Sequence, residues 1–246
     1  MSTTTINPEE VAKFTAMAET WWDPTGKFKT LHRFNPVRLA YIRAQAIAQF
    51  GRDGNQIRPL DGLSILDIGC GGGLLCEPLT RLGAKMVGID ASEKNIRIAS
   101  LHAEQSGLDI DYRATTAEAV AAAGERFDMV LSMEVIEHVD NVPLYMESCA
   151  RLVRPGGLLL TATINRTPRA YALAIVGAER VLKWLPKGTH DFKKFLTPDE
   201  VATLARRNGL TVRETVGVVY HPLADEWRQS RDTGINYMQL AERPGV

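Results

Sequence analysis

The sequence predicts an α/β protein: a Rossmann-like, mostly parallel sheet of about seven strands with helices on both faces, behind an N-terminal helical cover. Two observations carry that reading. From Ser64 onward short apolar runs alternate with helical patterns, the rhythm of strands buried on both faces and linked by helical crossovers. The first run, Ile65-Leu66-Asp67-Ile68, passes into Gly69-Cys70-Gly71-Gly72-Gly73, a glycine turn between strand and helix where such sheets receive ligands.

In chain order, Asn7 reads as an N-cap, Pro8 as a pre-set first helical residue, and Glu9 and Glu10 as acids that complement the helix dipole, so a helix runs towards Trp21. Trp21-Trp22-Asp23-Pro24 breaks the pattern, and a second helical segment spans about Val37 to Phe50. Strands are expected at Ser64 to Ile68, Lys85 to Ile89, Ile110 to Arg113, Phe127 to Ser132 and Leu158 to Thr163, with two late ones near Leu210 to Val219 and Asn236 to Glu242. An alanine-rich turn falls at Ala121 to Ala123, and a helix lies between the capping-box spacing of Thr197 to Glu200 and the stop at Asn208-Gly209. With 246 residues the chain holds one sizeable core and little room for a second. Residues 1–58 therefore read as a cover that contributes to the site, and 59–246 as the catalytic domain, with an insertion at about 165–196.

Composition narrows the partners. The 29 basic and 29 acidic residues cancel, so no global positive field gathers nucleic acid. Cys70, Cys76 and Cys149 have no paired metal-ligand spacing and, as an odd count, suggest no disulfide framework, which suits a reducing cytoplasm. The opening MSTTTINPEE lacks the basic and apolar regions of an export signal, and no charge-free run reaches the roughly 18 residues that span a bilayer. The expectation is a protein neither exported nor membrane-spanning.

At the glycine turn the missing side chains let the backbone bend tightly and a ligand approach closely. Asp67 favours a cationic ligand over a pyrophosphate, and the dinucleotide fingerprint would need a third glycine where Leu74 stands. One strand-helix unit later Val87-Gly88-Ile89-Asp90 ends in a carboxylate that can accept both hydroxyls of a ribose; a helix N-cap is the other reading of Asp90. Gly69, Gly71, Gly73 and Asp90 together resemble the cofactor signature of class I S-adenosylmethionine-dependent methyltransferases, over roughly residues 60 to 165. The resemblance implies that Thr116, Ala117 and Glu118 flank the adenine, and that Leu152-Val153-Arg154-Pro155-Gly156-Gly157 is the turn before the fifth strand.

Segments outside that core are similar to the ubiquinone biosynthesis O-methyltransferase family: Trp21-Trp22-Asp23, Leu31 to Pro36 with Arg38, Met133 to Val139, Val176 to Glu179, Pro186 to Asp191, and Asn236-Tyr237-Met238. The likeness covers nearly the whole chain and departs at Tyr220 to Trp227 and in the count between the third strand and Glu134. It implies methylation of hydroxyls on polyprenylated benzene intermediates at two steps, and contacts from Arg38, Gly69, Asp90 and Met133 to S-adenosylmethionine. The partners it implies are a polyprenylated phenol or quinol, an anionic membrane surface on its cytoplasmic side and other ubiquinone biosynthesis proteins, with no nucleic acid. A methyltransferase for a soluble phenol or amine, and a non-catalytic cofactor-binding scaffold, are the alternatives.

A phenol with a pKa near 10 must lose its proton to attack a sulfonium methyl, through a general base or a metal. Glu134, Glu137 and His138 stand at i, i+3 and i+4, so a helix starting there shows all three on one face, able to hold magnesium, manganese or zinc. His138 as sole base is the alternative. Tyr171 to Lys187 has the composition of an interfacial helix, with Trp184 for the headgroup level and Lys183, Lys187, Lys193 and Lys194 for anionic lipid, so the insertion at about 165–196 is expected to dock the enzyme on the membrane and to form a lid over the ring pocket; an ordinary packed helix is its other reading.

Overall fold

The structure is a computed structural model that describes residues 4–173, 191–221, 224 and 226–245. Helix α1 (Pro8–Thr15) starts as expected, with the Asn7 side chain accepting from the Glu10 amide. It ends at Thr15 rather than near Trp21; a short 3-10 turn, Ala18–Thr20, carries the chain on. Helix α2 (Lys29–Gln49) begins well before Val37 and runs straight through Pro36. Its buried face, Phe34, Arg38, Tyr41, Ile42 and Ala46, is continuous across the proline, so packing outweighs the hydrogen bond that Pro36 cannot make.

The catalytic core follows as β1 (Ser64–Ile68), α3 (Cys76–Arg81), β2 (Lys85–Asp90), α4 (Glu93–Gln105), β3 (Asp111–Ala114), α5 (Ala117–Ala122), β4 (Phe127–Met133), a 3-10 turn (Ile136–His138), α6 (Val142–Leu152), β5 (Val153–Ile164), α7 (Pro168–Ala170), a 3-10 turn (Phe192–Lys194), α8 (Pro198–Arg207), β6 (Thr211–His221), β7 (Glu226–Ser230) and β8 (Asn236–Glu242). The strands form one sheet in the order β3-β2-β1-β4-β5-β8-β6-β7. Strands β1 to β5 are mutually parallel where they pair, and β8 slots antiparallel between β5 and β6. Eight strands replace the expected seven because β7, Glu-Trp-Arg-Gln-Ser, is a polar edge strand without the alternation that marks a strand in sequence. The expected turn at Arg154 to Gly157 is a bulge inside β5, where the register against β4 shifts between Phe127 and Met129. Ala121 and Ala122 close α5 instead of forming a turn, and Gly124 follows with φ +80°.

Two apolar layers sandwich the sheet. Ile65, Met129, Leu131, Leu160 and Leu240 face Ile42 and Leu79 on one side, while Leu66, Val130 and Leu159 face Met146, Leu152 and Ala205 on the other. This alternation along β1, β4 and β5 is the period of two that a strand imposes. The capping box at Thr197 and Glu200 forms as expected. No helix among the described residues is long and apolar enough to cross a membrane. The expected interfacial helix lies, past Leu173, outside the described residues, as do Pro222, Leu223 and Asp225 of the divergent stretch.

Candidate active site

The strand order reverses between β1 and β4, and the crevice at such a reversal, beyond the carboxyl ends of the strands, is where open α/β sheets bind ligands. A cavity of about 830 Å³ occupies it and is roofed by α1, by Met17, Trp21 and Phe28, and by α2. Arg38, Asp67, Gly69, Asp90, Ala117, Met133, Glu134 and His138 all line this cavity; Gly71, Gly73 and Glu137 stand behind its wall.

Gly69, Gly71 and Gly73 all have positive φ, so the turn needs glycine for its backbone alone. The space left by their missing Cβ atoms is filled by protein. A Cβ at Gly69 would come 2.5 Å from Val135, and one at Gly71 or Gly72 would overlap Trp21. At Gly73 it would strike the Tyr112 hydroxyl. The expected role of Gly71 in admitting a ligand therefore shifts to admitting the cover, and that of Gly73 to admitting Tyr112 of β3. Trp21 stacks on Phe28 at 3.7 Å and donates its indole N–H to Asn95 Oδ1 at 3.0 Å. Trp22 donates to the Gly72 carbonyl at 2.9 Å and stacks at 3.5 Å on His102, whose Nδ1 lies 2.5 Å from the buried Glu77 carboxylate.

At the end of β2, Asp90 accepts from the Gly71 amide (3.1 Å) through Oδ2, and from the Ser92 amide (2.8 Å) and Asn95 Nδ2 (3.2 Å) through Oδ1. Ser92, not Asp90, is the N-cap of α4, which removes that alternative. Burial raises the Asp90 pKa against those hydrogen bonds. Burial also pushes Asp67 up to about 7, with the Cys76 thiol and the charge of Arg38 acting in the opposite direction. Thr116 caps α5 and sets Ala117 in its first turn, beside the cavity. Glu118 turns to the cover instead, accepting from the Thr5 amide at 2.9 Å.

Glu134, just past β4, is the non-glycine residue with positive φ (+58°) among the described residues, a conformation that costs on the order of 1–3 kcal/mol and is found where a site dictates it. Its carboxylate pairs with buried Arg38, whose guanidinium also lies 4.0 Å over the Phe34 ring and whose Nε has no hydrogen-bond partner in the structure. The expected helical face of Glu134, Glu137 and His138 does not exist. No α-helix begins at Glu134, and Ile136–His138 form a 3-10 turn, so the i, i+3, i+4 spacing no longer aligns the three groups. Glu137 points into the core beside Thr163 rather than to the cavity, its pKa pushed up to about 7 by burial and by the charge of Glu134. His138 bonds through Nδ1 to Glu10 of α1 at 2.9 Å. Among the described residues no group of three His, Cys, Asp or Glu side chains is placed to hold a metal ion, and the expected set does not fit one.

Sequence reasoning missed Glu10, Asn95 and the far wall of the cavity, where Phe34, Tyr220 and Trp227 meet. Asn95 had a legible signal, since it follows the Ser92 cap of a helix that begins at the strand-two acid. Glu10 and Trp227 had none, because their partners are remote in sequence.

A parallel sheet that reverses at β1, a glycine turn sealed by an N-terminal cover and an acid at the end of β2 define a class I methyltransferase. A methyltransferase-domain family model matches residues 28–215. Among solved structures, magnesium protoporphyrin IX methyltransferase from Synechocystis PCC 6803 with bound S-adenosylhomocysteine superposes with a TM-score of 0.60 at 19% identity, over 98% of this chain and 90% of that one. An S-adenosylmethionine-dependent methyltransferase from Clostridium acetobutylicum gives 0.62 at 12% identity, over 95% and 99%. At these identities the likeness is one of fold. In sequence, the ubiquinone biosynthesis O-methyltransferase of Brucella anthropi is 59% identical over 98% of this chain and 97% of its own length, and that of a Chelativorans species is 58% identical over 98% and 95%. The chain belongs to the ubiquinone biosynthesis O-methyltransferase family and is an S-adenosylmethionine-dependent enzyme.

Proposed function

We propose that this protein methylates ring hydroxyls of polyprenylated intermediates of ubiquinone synthesis, 2-polyprenyl-6-hydroxyphenol and 3-demethylubiquinol. The observation that supports it best is a single cavity with two unlike halves. One, over β1, β2 and β4, is lined by Asp67, Asp90, Arg38 and Glu134; the other, over β5, β6 and β8, is lined by Ile164, Val218, Val219 and Ile235. Ligand pockets commonly measure roughly 300–1,000 Å³, so a cavity of about 830 Å³ has room for a cofactor and part of an acceptor.

S-adenosylmethionine, when bound, supplies an electrophilic methyl group. Asp90 would accept its ribose hydroxyls on lone pairs not used by Gly71, Ser92 and Asn95, and Thr116 and Ala117 would flank its adenine. The unpartnered Nε of Arg38 suits its carboxylate. Gly69 and Met133 would meet its methionyl arm, and Asp67 would balance its positive charge. His138 serves as the general base. Burial alone would lower its pKa, but the hydrogen bond to Glu10 and the charges of Glu137 and Glu10 raise it above 6.5. Glu10, held down to about 2 by His138 and Lys13 against its own burial, stays a carboxylate and must accept from Nδ1–H. The basic nitrogen is then Nε2, and Glu10 stabilises the imidazolium formed when the hydroxyl proton moves there. Residues 1–58 act in this reading as a working part of the active site rather than a separate unit.

A divalent cation is the other route to a phenolate. It would have to draw Glu134 from Arg38 and His138 from Glu10, and dialysis against a chelator tests it: turnover is expected to persist, and its loss with recovery on adding magnesium would replace the base by a metal. The acceptor's tail requires an approach to the bilayer, and we propose that the insertion at about 165–196 docks the enzyme on anionic lipid at the inner face of the membrane. Support comes from Tyr171 and Leu173, exposed apolar residues at its start, the second of which lines the cavity. Co-sedimentation with anionic and neutral liposomes at two salt concentrations tests the docking. Cells lacking the protein are expected to accumulate a hydroxyphenol or demethyl quinol; an unchanged quinone profile would overturn the proposed acceptor.

A further inference from the structure

We propose that Trp227, on the edge strand β7, is the residue that selects for an isoprenoid tail on the acceptor; this rests on the acceptor class given above. The argument starts from an oddity of β7. Its sequence, Glu226-Trp227-Arg228-Gln229-Ser230, has one large apolar side chain and pairs only with β6, so the strand contributes little to the core. Tryptophan in a folded domain is normally well buried. Trp227 is only half-buried; it lines the cavity and also a smaller pocket beside Thr25, Lys29 and Arg33. An aromatic left incompletely packed against an apolar cavity is a surface that a ligand completes.

Its position follows from a chain of contacts leading away from the cofactor end of the cavity. Glu134 pairs with Arg38, the Arg38 guanidinium lies over Phe34 at 4.0 Å, Phe34 meets Trp227 at 5.0 Å, and Trp227 meets Tyr220 at 5.4 Å. Trp227 thus stands one aromatic ring beyond Phe34, towards the outer end of the cavity. With Arg38 at the cofactor carboxylate and the acceptor ring presented to His138, the end of the cavity at Phe34 and Trp227 is left to the ring's substituent. The walls at that end include Val218, Val219 and the rings of Phe34, Tyr220 and Trp227, apolar surface that suits a hydrocarbon, with the Arg33 guanidinium 5.7 Å over the Tyr220 ring. The interplanar angles of 42° and 48° leave the rings splayed rather than stacked, a shape that follows a bent chain better than a flat ring.

The test compares wild type, Trp227→Ala and Trp227→Phe with two acceptors, catechol and a catechol bearing a geranyl chain. Truncating a tryptophan at the centre of an apolar contact commonly weakens binding by about tenfold to thirtyfold. The alanine variant is therefore expected to raise KM for the geranylated acceptor by about tenfold or more, with kcat little changed, KM for catechol unchanged and S-adenosylmethionine affinity by calorimetry unchanged. The phenylalanine variant should recover most of the loss. An unchanged KM for the geranylated acceptor, or an equal rise for both acceptors, would overturn the assignment to the tail. A wild-type enzyme that binds S-adenosylmethionine but turns over neither acceptor would overturn the acceptor class itself, and the tail with it.

Discussion

Replacing Gly72 by alanine isolates the contact between the cover and the cofactor loop. Unlike its neighbours Gly71 and Gly73, Gly72 does not have a positive φ, so alanine meets no backbone strain there. The new Cβ would instead overlap the Cβ and ring of Trp21. Overpacking of this kind costs about 1–3 kcal/mol, and shifting the segment also strains the Trp22 N–H bond to the Gly72 carbonyl, a further 0.5–1.5 kcal/mol or so. The loss of chain entropy in the unfolded state returns about 0.4–1 kcal/mol. The net expectation is destabilisation of roughly 0.5–4 kcal/mol, which in a domain of this size lowers Tm by about 1–16 °C. Because Trp21 also holds Asn95, and Asn95 holds Asp90, affinity for S-adenosylmethionine should fall with it, by about tenfold. Thermal denaturation followed by tryptophan fluorescence, together with calorimetric titration, reads both effects. A variant with unchanged Tm and unchanged affinity would mean that the cover is not seated on the glycine loop, and the reasoning from Trp21 would fail.

Other perturbations separate the remaining roles. Asp90→Ala should weaken S-adenosylmethionine about ten- to a hundredfold in calorimetry while the circular dichroism of the fold persists; equal affinity would take Asp90 out of the site. With His138 as the base, kcat/KM rises with pH through its raised pKa, and Glu10→Gln, which removes the carboxylate that raises it, should move that acid limb to lower pH and lower the plateau. An unmoved limb would detach Glu10 from catalysis. Glu137 has a folded-state pKa above its unfolded one, so the folded state binds the extra proton between about 4.5 and about 7 and stability falls as pH rises through that window. Glu137→Gln should therefore raise Tm at pH 8 and change it little at pH 4; destabilisation at pH 8 would show that the carboxylate is satisfied where it lies.

The parallel half of the sheet was legible because β1, β2, β4 and β5 carry apolar runs bounded by turn residues, and Asp67 and Asp90 mark the ends of two of them. Elements that depend on partners were not. The α2 helix runs through Pro36 because its buried stripe continues on both sides, and Asn35-Pro36 read alone looks like a helix start. Strand β7 is polar and exists through its pairing with β6. The failure at Glu134, Glu137 and His138 is more instructive. Residue spacing translates into a shared face only if the helix is α, and the left-handed backbone at Glu134 followed by a 3-10 turn sends the three side chains to Arg38, the core and Glu10. The glycines were recognised for the right backbone reason, yet Trp21, the side chain that fills the space at Gly71 and Gly72, was identified only as part of a family pattern.

The long-range attachment of the cover bears on how the molecule assembles. Its bonds close loops of great length: Thr5 to Glu118, Glu10 to His138, and Tyr41 to Glu214. Contacts of such high sequence separation are slow to form, because the loop entropy is lost before any contact compensates for it. During synthesis the segment that leaves the ribosome early must therefore wait for β4 and the turn behind it before it finds His138, and for β6 before Tyr41 finds Glu214. Until then the paired tryptophans, Phe28 and the apolar face of α2 are exposed on a nascent chain, which makes this stretch the natural client for a chaperone. With His138 as the base, docking the cover supplies its Glu10 partner and seals the glycine loop in the same late event, so a chain that has folded its sheet but not docked its first fifty residues or so is expected to be compact and inactive.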